Sequence, residues 1–361
     1  MASYDQIAKY NWRYRISLGK NTETGKYEYI SKTGFKRKSD AKHQAEMIER
    51  QLRNGDYIAP SSSTFKQVAD DWLKQYANDV KVSSVRARKK AIQHAIERFN
   101  TKPIQTIKKN DYQRFVDDMS AQYSKNYVDS IVASTNMIFK YAYDMRLIKA
   151  MPSDGIKRPK KKVSVEELED IEIHKKFLEK DELFQFLEVA KYHHSPQNSF
   201  EVFTTLAYTG MRAGELLALK WSDIDFENNT ISITKTYYNA NNNKKHYQIL
   251  TPKTESSIGK ISVDPHVIQL LKDYKENIQD TWKNELYVDN NFVFTDVNGY
   301  PLVIKKLSTW IQAIMKKTDI ANKHISTHSF RHTHCALLIE AGVHIKEIQE
   351  RLRHKDINTT M

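Results

Sequence analysis

The sequence predicts a multidomain protein, mainly α with small β elements. It reads as an N-terminal three-stranded sheet plus helix, then a helical bundle, then a larger α+β unit. Three observations carry that prediction. The 361 residues are too many for one ordinary core. Period-two apolar alternation marks the N-terminus, and one later interval is strand-rich. Helical periodicity dominates after a break at Pro60-Ser61-Ser62-Ser63.

Taken in order, Trp12, Tyr14, Ile16 and Leu18 alternate with Arg13, Arg15 and Ser17, which predicts a half-buried strand. Asn21 to Gly25 is a turn, Tyr27 to Ile30 returns as a second strand, and Phe35 to Lys38 reads as a third. Ser39 is the expected helix cap, and Ala41, Ala45, Ile48 and Leu52 share one helical face up to Asn54-Gly55. Beyond the break, Phe65, Val68, Ala69, Trp72, Leu73 and Tyr76 form an apolar stripe. Val85, Ile92, Ala95, Ile96 and Phe99 form a second, with Ser84 as its expected cap. Helices over 110–121 and 125–146 complete a four-helix unit. Met151 to Gly155 and the basic run Lys157 to Lys162 read as a linker. The third unit enters a helix near Phe177. It alternates helices with a strand-rich interval, Thr230 to Val263, and ends helical over 330–352.

Composition narrows the function. At 40% hydrophobic and 28% charged residues the chain can build cores. Cys335 is the single cysteine, which excludes an intramolecular disulfide framework and a Cys-based zinc module and fits a reducing compartment. No apolar run approaches a membrane span, and the first residues carry no signal-peptide core. The expectation is a cytoplasmic protein with an anionic partner. The net charge of +13 is uneven. Residues 1–58 hold 12 basic against 7 acidic side chains and residues 59–150 hold 16 against 9, whereas residues 171–361 hold 24 against 23. Attraction for a polyanion is therefore expected in the first 150 residues. The expected DNA contacts are Arg13, Arg15, Lys36 and Arg37 in the small sheet, and Arg86, Arg88, Lys89 and Lys90 on one helix. Lys160, Lys161 and Lys162 in the linker complete the set. A solubilising surface would account for the charge excess alone about as well.

Two segments carry chemistry. Thr209-Gly210-Met211-Arg212-Ala213-Gly214-Glu215 puts Arg212 at a helix start beside two glycines, where small residues let backbone or substrate approach. Glu215, one turn on, can orient Arg212. In Thr327-His328-Ser329-Phe330-Arg331-His332, His328 and Arg331 share a helical face. Two arginines can grip the non-bridging oxygens of one phosphate with planar paired donors, and a histidine can move a proton near neutral pH. Taken singly these signals are weak, since an exposed Arg–Glu pair on a helix contributes only about 0.3–0.5 kcal/mol. His328 and His332, four apart, would also suit a metal. No cysteine cluster or HExxH-type carboxylate accompanies them, so no metal is expected.

Together with Leu352-Arg353-His354, these boxes resemble those of the tyrosine recombinase family of the phage-integrase type, in order and in separation. The resemblance covers nearly the whole chain. It implies an arm-type DNA-binding domain over 1–58, a helical core-site DNA-binding domain over 63–150, a basic linker over 151–170 and an α+β catalytic domain over 171–361. It also implies that Arg212 and Arg331 clamp the scissile phosphate, with Glu215 in support. Lys253, in Thr251-Pro252-Lys253-Thr254, protonates the leaving 5′ oxygen, with Lys260 as the runner-up. His328 assists proton transfer, and His354 hydrogen-bonds the phosphate. Attack by a tyrosine gives a 3′-phosphotyrosyl intermediate that retains the bond energy, so no cofactor, metal or ATP is implied. Double-stranded DNA at core-type and arm-type sites, a homotetramer on DNA and an accessory DNA-bending or directionality protein are the implied partners. Arg353 stands where the family often has glycine. The family's nucleophile follows the third box by nine residues, which falls two positions past Met361, and no tyrosine follows Tyr300. The expectation is a chain that binds DNA but lacks its nucleophile. A non-catalytic DNA-binding regulator and a type IB topoisomerase-like relaxing enzyme are the alternatives. The first does not require Arg212, Lys253, His328 and Arg331 as a set, and two-site exchange against simple relaxation separates the second.

Overall fold

A computed structural model describes residues 2–22, 24–159, 176–192, 198–252 and 258–353. The chain divides into two compact units, Met1–Lys162 and Val163–Met361.

The first unit opens with an antiparallel sheet of β1 (Ser3–Ala8), β2 (Asn11–Lys20) and β3 (Tyr27–Phe35), in that spatial order. Tyr14 opposes Tyr4 on one side and Lys32 on the other, and Ile16 opposes Ile30. The helix α1 (Lys38–Arg53) closes over this face, so Tyr14, Ile16 and Ala45 form a small core with Ile48 and Leu52 at its edge. Two expectations are corrected here. The third strand is Ser3–Ala8, not Phe35–Lys38, because Phe35 pairs with Trp12 and ends β3. The cap of α1 is Arg37 rather than Ser39, because the helix already begins at Lys38.

A second core in this unit joins four helices: α2 (Phe65–Asp79), α3 (Val82–Phe99), α4 (Lys109–Gln122) and α5 (Lys125–Asp144). Phe65, Ile92, Phe99, Tyr112, Phe115, Ile131 and Phe139 are buried at its centre. Thr64 caps α2 by accepting the Gln67 N–H, and Gln67 Oε1 accepts from the Thr64 N–H in return. α3 starts two residues before Ser84, with Lys81 at the cap position.

The second unit is larger. Its helices α6 (Lys180–Tyr192), α7 (Ser199–Thr209), α8 (Ala213–Leu217), α9 (Pro265–Tyr274) and α10 (Ile304–Met315) surround a core that includes Phe186, Phe203, Leu206, Trp310 and Phe330. The sheet elements are short: β4 (Ile224–Asp225), β5 (Thr230–Ile233), β6 (Thr236–Tyr238), β7 (Gln248–Leu250) and β8 (Gly259–Ser262). β5 lies between β4 and β8, all antiparallel, with Ile231 opposite Ile261, while β6 and β7 form a separate hairpin. α11 (Ser329–Glu340) and α12 (Ile345–Leu352) finish the described chain. Among the described residues no helix is long and apolar enough to cross a membrane.

Candidate active site

The first box is built around a bend. α7 ends at Gly210, whose φ of 64° is left-handed. A Cβ there would lie 2.7 Å from His334 Cδ2 and 2.8 Å from Leu352 Cδ2. Glycine thus suits both the backbone and the space, and the two last helices press directly onto the box. Arg212 then caps α8. Glu215 Oε2 accepts the Arg212 N–H at 3.1 Å, and Oε1 accepts from Arg212 Nη1 at 2.8 Å. A Cβ at Gly214 would stand 2.6 Å from Thr236 Oγ1, so β6 packs against α8 with no room between them. What approaches both glycines is protein.

The second box starts α11. His328 is its cap and Arg331 lies in its first turn. Arg331 is only 2% exposed. Its Nη1 donates to the Gly210 carbonyl at 2.7 Å and its Nη2 to the Leu352 carbonyl, so it ties the three boxes together. Arg212 differs, keeping 39% of its side chain exposed. Burial and the Arg212 guanidinium push Arg331 down to about 9, still protonated at neutral pH. Burial, with His332, Arg331 and Arg212 nearby, lowers His328 from its ordinary value, so its neutral form dominates at neutral pH.

The third box supplies a contact with no warning in the sequence. Arg353 Nη2 donates to Glu215 Oε2 at 2.8 Å, and both side chains are buried. Glu215 is therefore held between two guanidinium groups. His354 and Lys253 lie outside the described residues. Lys260 sits on β8 with its side chain 59% exposed, 3.8 Å from Asp225, and lines a cavity of about 740 Å³ that Arg353 also lines.

In the first unit the expected DNA contacts are not alike. Arg86, Lys89 and Lys90 line one concavity of about 660 Å³ together with Gln93, His94, Tyr123 and Tyr127. Arg88 turns away and donates to Ser134 Oγ at 3.1 Å. In the small sheet Arg13 pairs with Asp5 at 2.8 Å, and Arg15 lies over the Tyr29 ring at 5.2 Å. Lys36 and Arg37 are exposed. Lys160, Lys161 and Lys162 are outside the described residues. Residue-by-residue reading missed His94, Tyr123 and Tyr127. Tyr123 ends α4 and Tyr127 lies in the first turn of α5, more than 30 positions from the basic stretch, so only the fold brings them to it.

Comparison with known proteins decides the family. Residues 176–361 match the phage integrase family, and residues 64–120 match the phage integrase N-terminal SAM-like domain. The chain belongs to the phage integrase family. It is thereby a site-specific recombinase of the tyrosine type, and the α-rich fold expected from its boxes is the fold observed. Among relatives of this integrase-family chain, the integrase of Staphylococcus phage L54a is 28% identical over 340 residues, covering 88% of this chain and 92% of the relative. The prophage ps2 probable integrase of Lactococcus lactis is 28% identical over 354 residues, covering 96% and 90%. In fold, the chain resembles the Tn1549 transposon integrase solved with a circular intermediate DNA, at 21% identity and a TM-score of 0.66, over 83% of this chain and 94% of that one.

Proposed function

We propose that this recombinase cleaves and rejoins DNA strands at the ends of a mobile element, for integration or excision, through a 3′-phosphotyrosyl intermediate. The observation that carries the reading is the convergence of Arg212 and Arg331 around Gly210 and Glu215, with a neutral His328 at the head of the same helix as Arg331. Arg212, the more exposed, grips a non-bridging oxygen of the scissile phosphate. Arg331 adds positive charge from behind and holds the boxes in register. The neutral His328 accepts the proton of the attacking tyrosine, and Lys253 protonates the leaving 5′ oxygen. His354 hydrogen-bonds the phosphate.

The surroundings follow from the charge map. Residues 1–58 bind arm-type sites, and residues 63–150 bind core-type sites through the basic concavity on α3. The basic linker over 151–170 joins them to the catalytic domain over 171–361. The working assembly is a homotetramer on duplex DNA, assisted by an accessory DNA-bending or directionality protein, in the host cytoplasm. In a protein that carries a tyrosine nine residues past His354, Arg212→Ala abolishes covalent adduct formation on a nicked suicide duplex and largely spares DNA binding. Cleavage at the parent rate would sink the site assignment.

A further inference from the structure

We propose that Arg353 is a positioning residue that keeps Arg212 free to grip phosphate by competing for Glu215. The inference rests on the phosphate-clamp reading above and adds a residue to it.

Arg353 occupies an unfavourable place. It stands at the end of α12 with φ 56° and ψ 42°, a left-handed conformation that strains a residue other than glycine. Its side chain is 6% exposed, and burial lowers the affinity of its guanidinium for a proton. Among the described residues its Nε and Nη1 are buried without a hydrogen-bond partner. A glycine would escape all three penalties. The one polar group among the described residues that the Arg353 side chain does reach is Glu215 Oε2.

That contact changes what Arg212 can do. Glu215 is 3% exposed in its side chain and has two oxygens to share. An arginine facing a free carboxylate takes both oxygens with two parallel N–H bonds. Here Oε2 is already held by Arg353 and by the Arg212 backbone N–H, so the Arg212 side chain reaches Oε1 through Nη1 alone. Among the described residues its Nη2 and Nε make no hydrogen bond, which leaves them for an oxyanion. The Arg353 stem lies against β8, where a Cβ at Gly259 would stand 3.5 Å from Arg353 Cδ, at ordinary van der Waals distance. The segment Leu352-Arg353 thus serves both arginines, through the Leu352 carbonyl that holds Arg331 and the guanidinium that frees Arg212.

The test uses the full chain and orthovanadate, a tetrahedral oxyanion that stands in for the phosphoryl group, with affinity measured by calorimetry. Arg353→Lys keeps the competing charge and Arg353→Met removes it, while both carry the same backbone strain. Expected is vanadate binding near wild type for the lysine variant. The methionine variant should bind about tenfold more weakly, the scale of one lost charge-assisted bond. In a Glu215→Gln background the two should bind alike, because no carboxylate remains to capture Arg212; a purely structural Arg353 would not erase its effect there. If Arg353→Met fails to fold, Arg353→Gly, which suits the backbone, replaces it. Equal affinities of the lysine and uncharged variants beside Glu215 would overturn the proposal, as would a difference between them that persists in the Glu215→Gln background. Arg212→Ala separates the two readings. If it leaves vanadate affinity unchanged, the phosphate clamp itself fails; if it weakens binding while Arg353→Met does not, only the positioning role fails.

Discussion

Arg351 donates its Nε–H to Nε2 of His334 at 3.0 Å, while the other ring nitrogen of His334 lies 2.8 Å from the Ala207 carbonyl. A carbonyl only accepts, so Nδ1 carries the proton and Nε2 is the bare acceptor. The pairing fixes a neutral histidine in one tautomer directly beneath Gly210. Burial, with the Arg351 charge beside it, pushes His334 down to about 4.

An acid-lability prediction follows. The unfolded histidine, near 6.5, binds its proton before the folded one does, so stability falls as pH drops from about 6.5 towards about 4 and is fully present above that window. The ceiling for this one group is on the order of 3 kcal/mol. His334→Asn, which can still donate to Ala207, should lower stability at pH 7 and flatten its fall on acidification. Urea unfolding from pH 7 to pH 4.5 measures both, and an unchanged slope in the variant would refute the assignment.

Glu201 works in the opposite direction. Its carboxyl is buried in α7, one oxygen has no hydrogen-bond partner among the described residues, and burial raises it to about 7. The folded state therefore holds a proton that the unfolded state has already lost. The stabilisation is complete below about 4.5 and disappears as pH rises through about 7. Glu201→Gln should match wild type near pH 5 and exceed it at pH 8.5 by up to about 3 kcal/mol, again by urea unfolding. Equal stability at pH 8.5 would mean that Glu201 reaches water or a cation when it ionises.

Gly210 admits no side chain. Gly210→Ala would adopt a left-handed φ at about 1–2 kcal/mol. It would also force its Cβ into His334 and Leu352, adding about 1–3 kcal/mol of overpacking. A loss of about 2–5 kcal/mol is expected by denaturant unfolding, accompanied by weaker vanadate binding, because the same shift displaces Arg331 from the Gly210 carbonyl. A variant as stable as wild type would show that the bend can open.

Much of this was legible in the sequence, and the reasons are local. Helix faces and the order of the boxes show in residue type and spacing, because α3 and α5 bury one side each. β1 was invisible for the same reason reversed. It is an edge strand exposed at nearly every position, so Ser3–Ala8 carries no alternation. The Phe35 error arose at Gly34, whose φ of 97° looks like the end of a strand but lies inside β3. In the site, residue identity announced Arg212 and Arg331, while their unequal exposure did not. The Arg353–Glu215 pair spans 138 positions and exists only once the fold has brought α12 to α8.

The basic stretch on α3 offers the sharpest separation of appearance from role. Arg86, Arg88, Lys89 and Lys90 look equivalent in sequence, yet Arg88 is turned to Ser134 while the other three line the concavity with Tyr123 and Tyr127. A phosphate contact releases counterions, so its removal reduces the steepness of log K against log salt by about 0.9. Arg86→Ala, Lys89→Ala and Lys90→Ala should each lose up to about that much slope on a non-cognate duplex, with little change in folding stability. Arg88→Ala should do the reverse. It leaves the slope intact and lowers stability by about 0.5–1.5 kcal/mol, as a half-buried hydrogen bond is lost. Fluorescence anisotropy at several salt concentrations, paired with thermal unfolding of the same four variants, reads both quantities. Should Arg88→Ala flatten the salt dependence as much as Lys89→Ala does, the guanidinium must leave Ser134 when DNA arrives, and the division of labour on this helix falls.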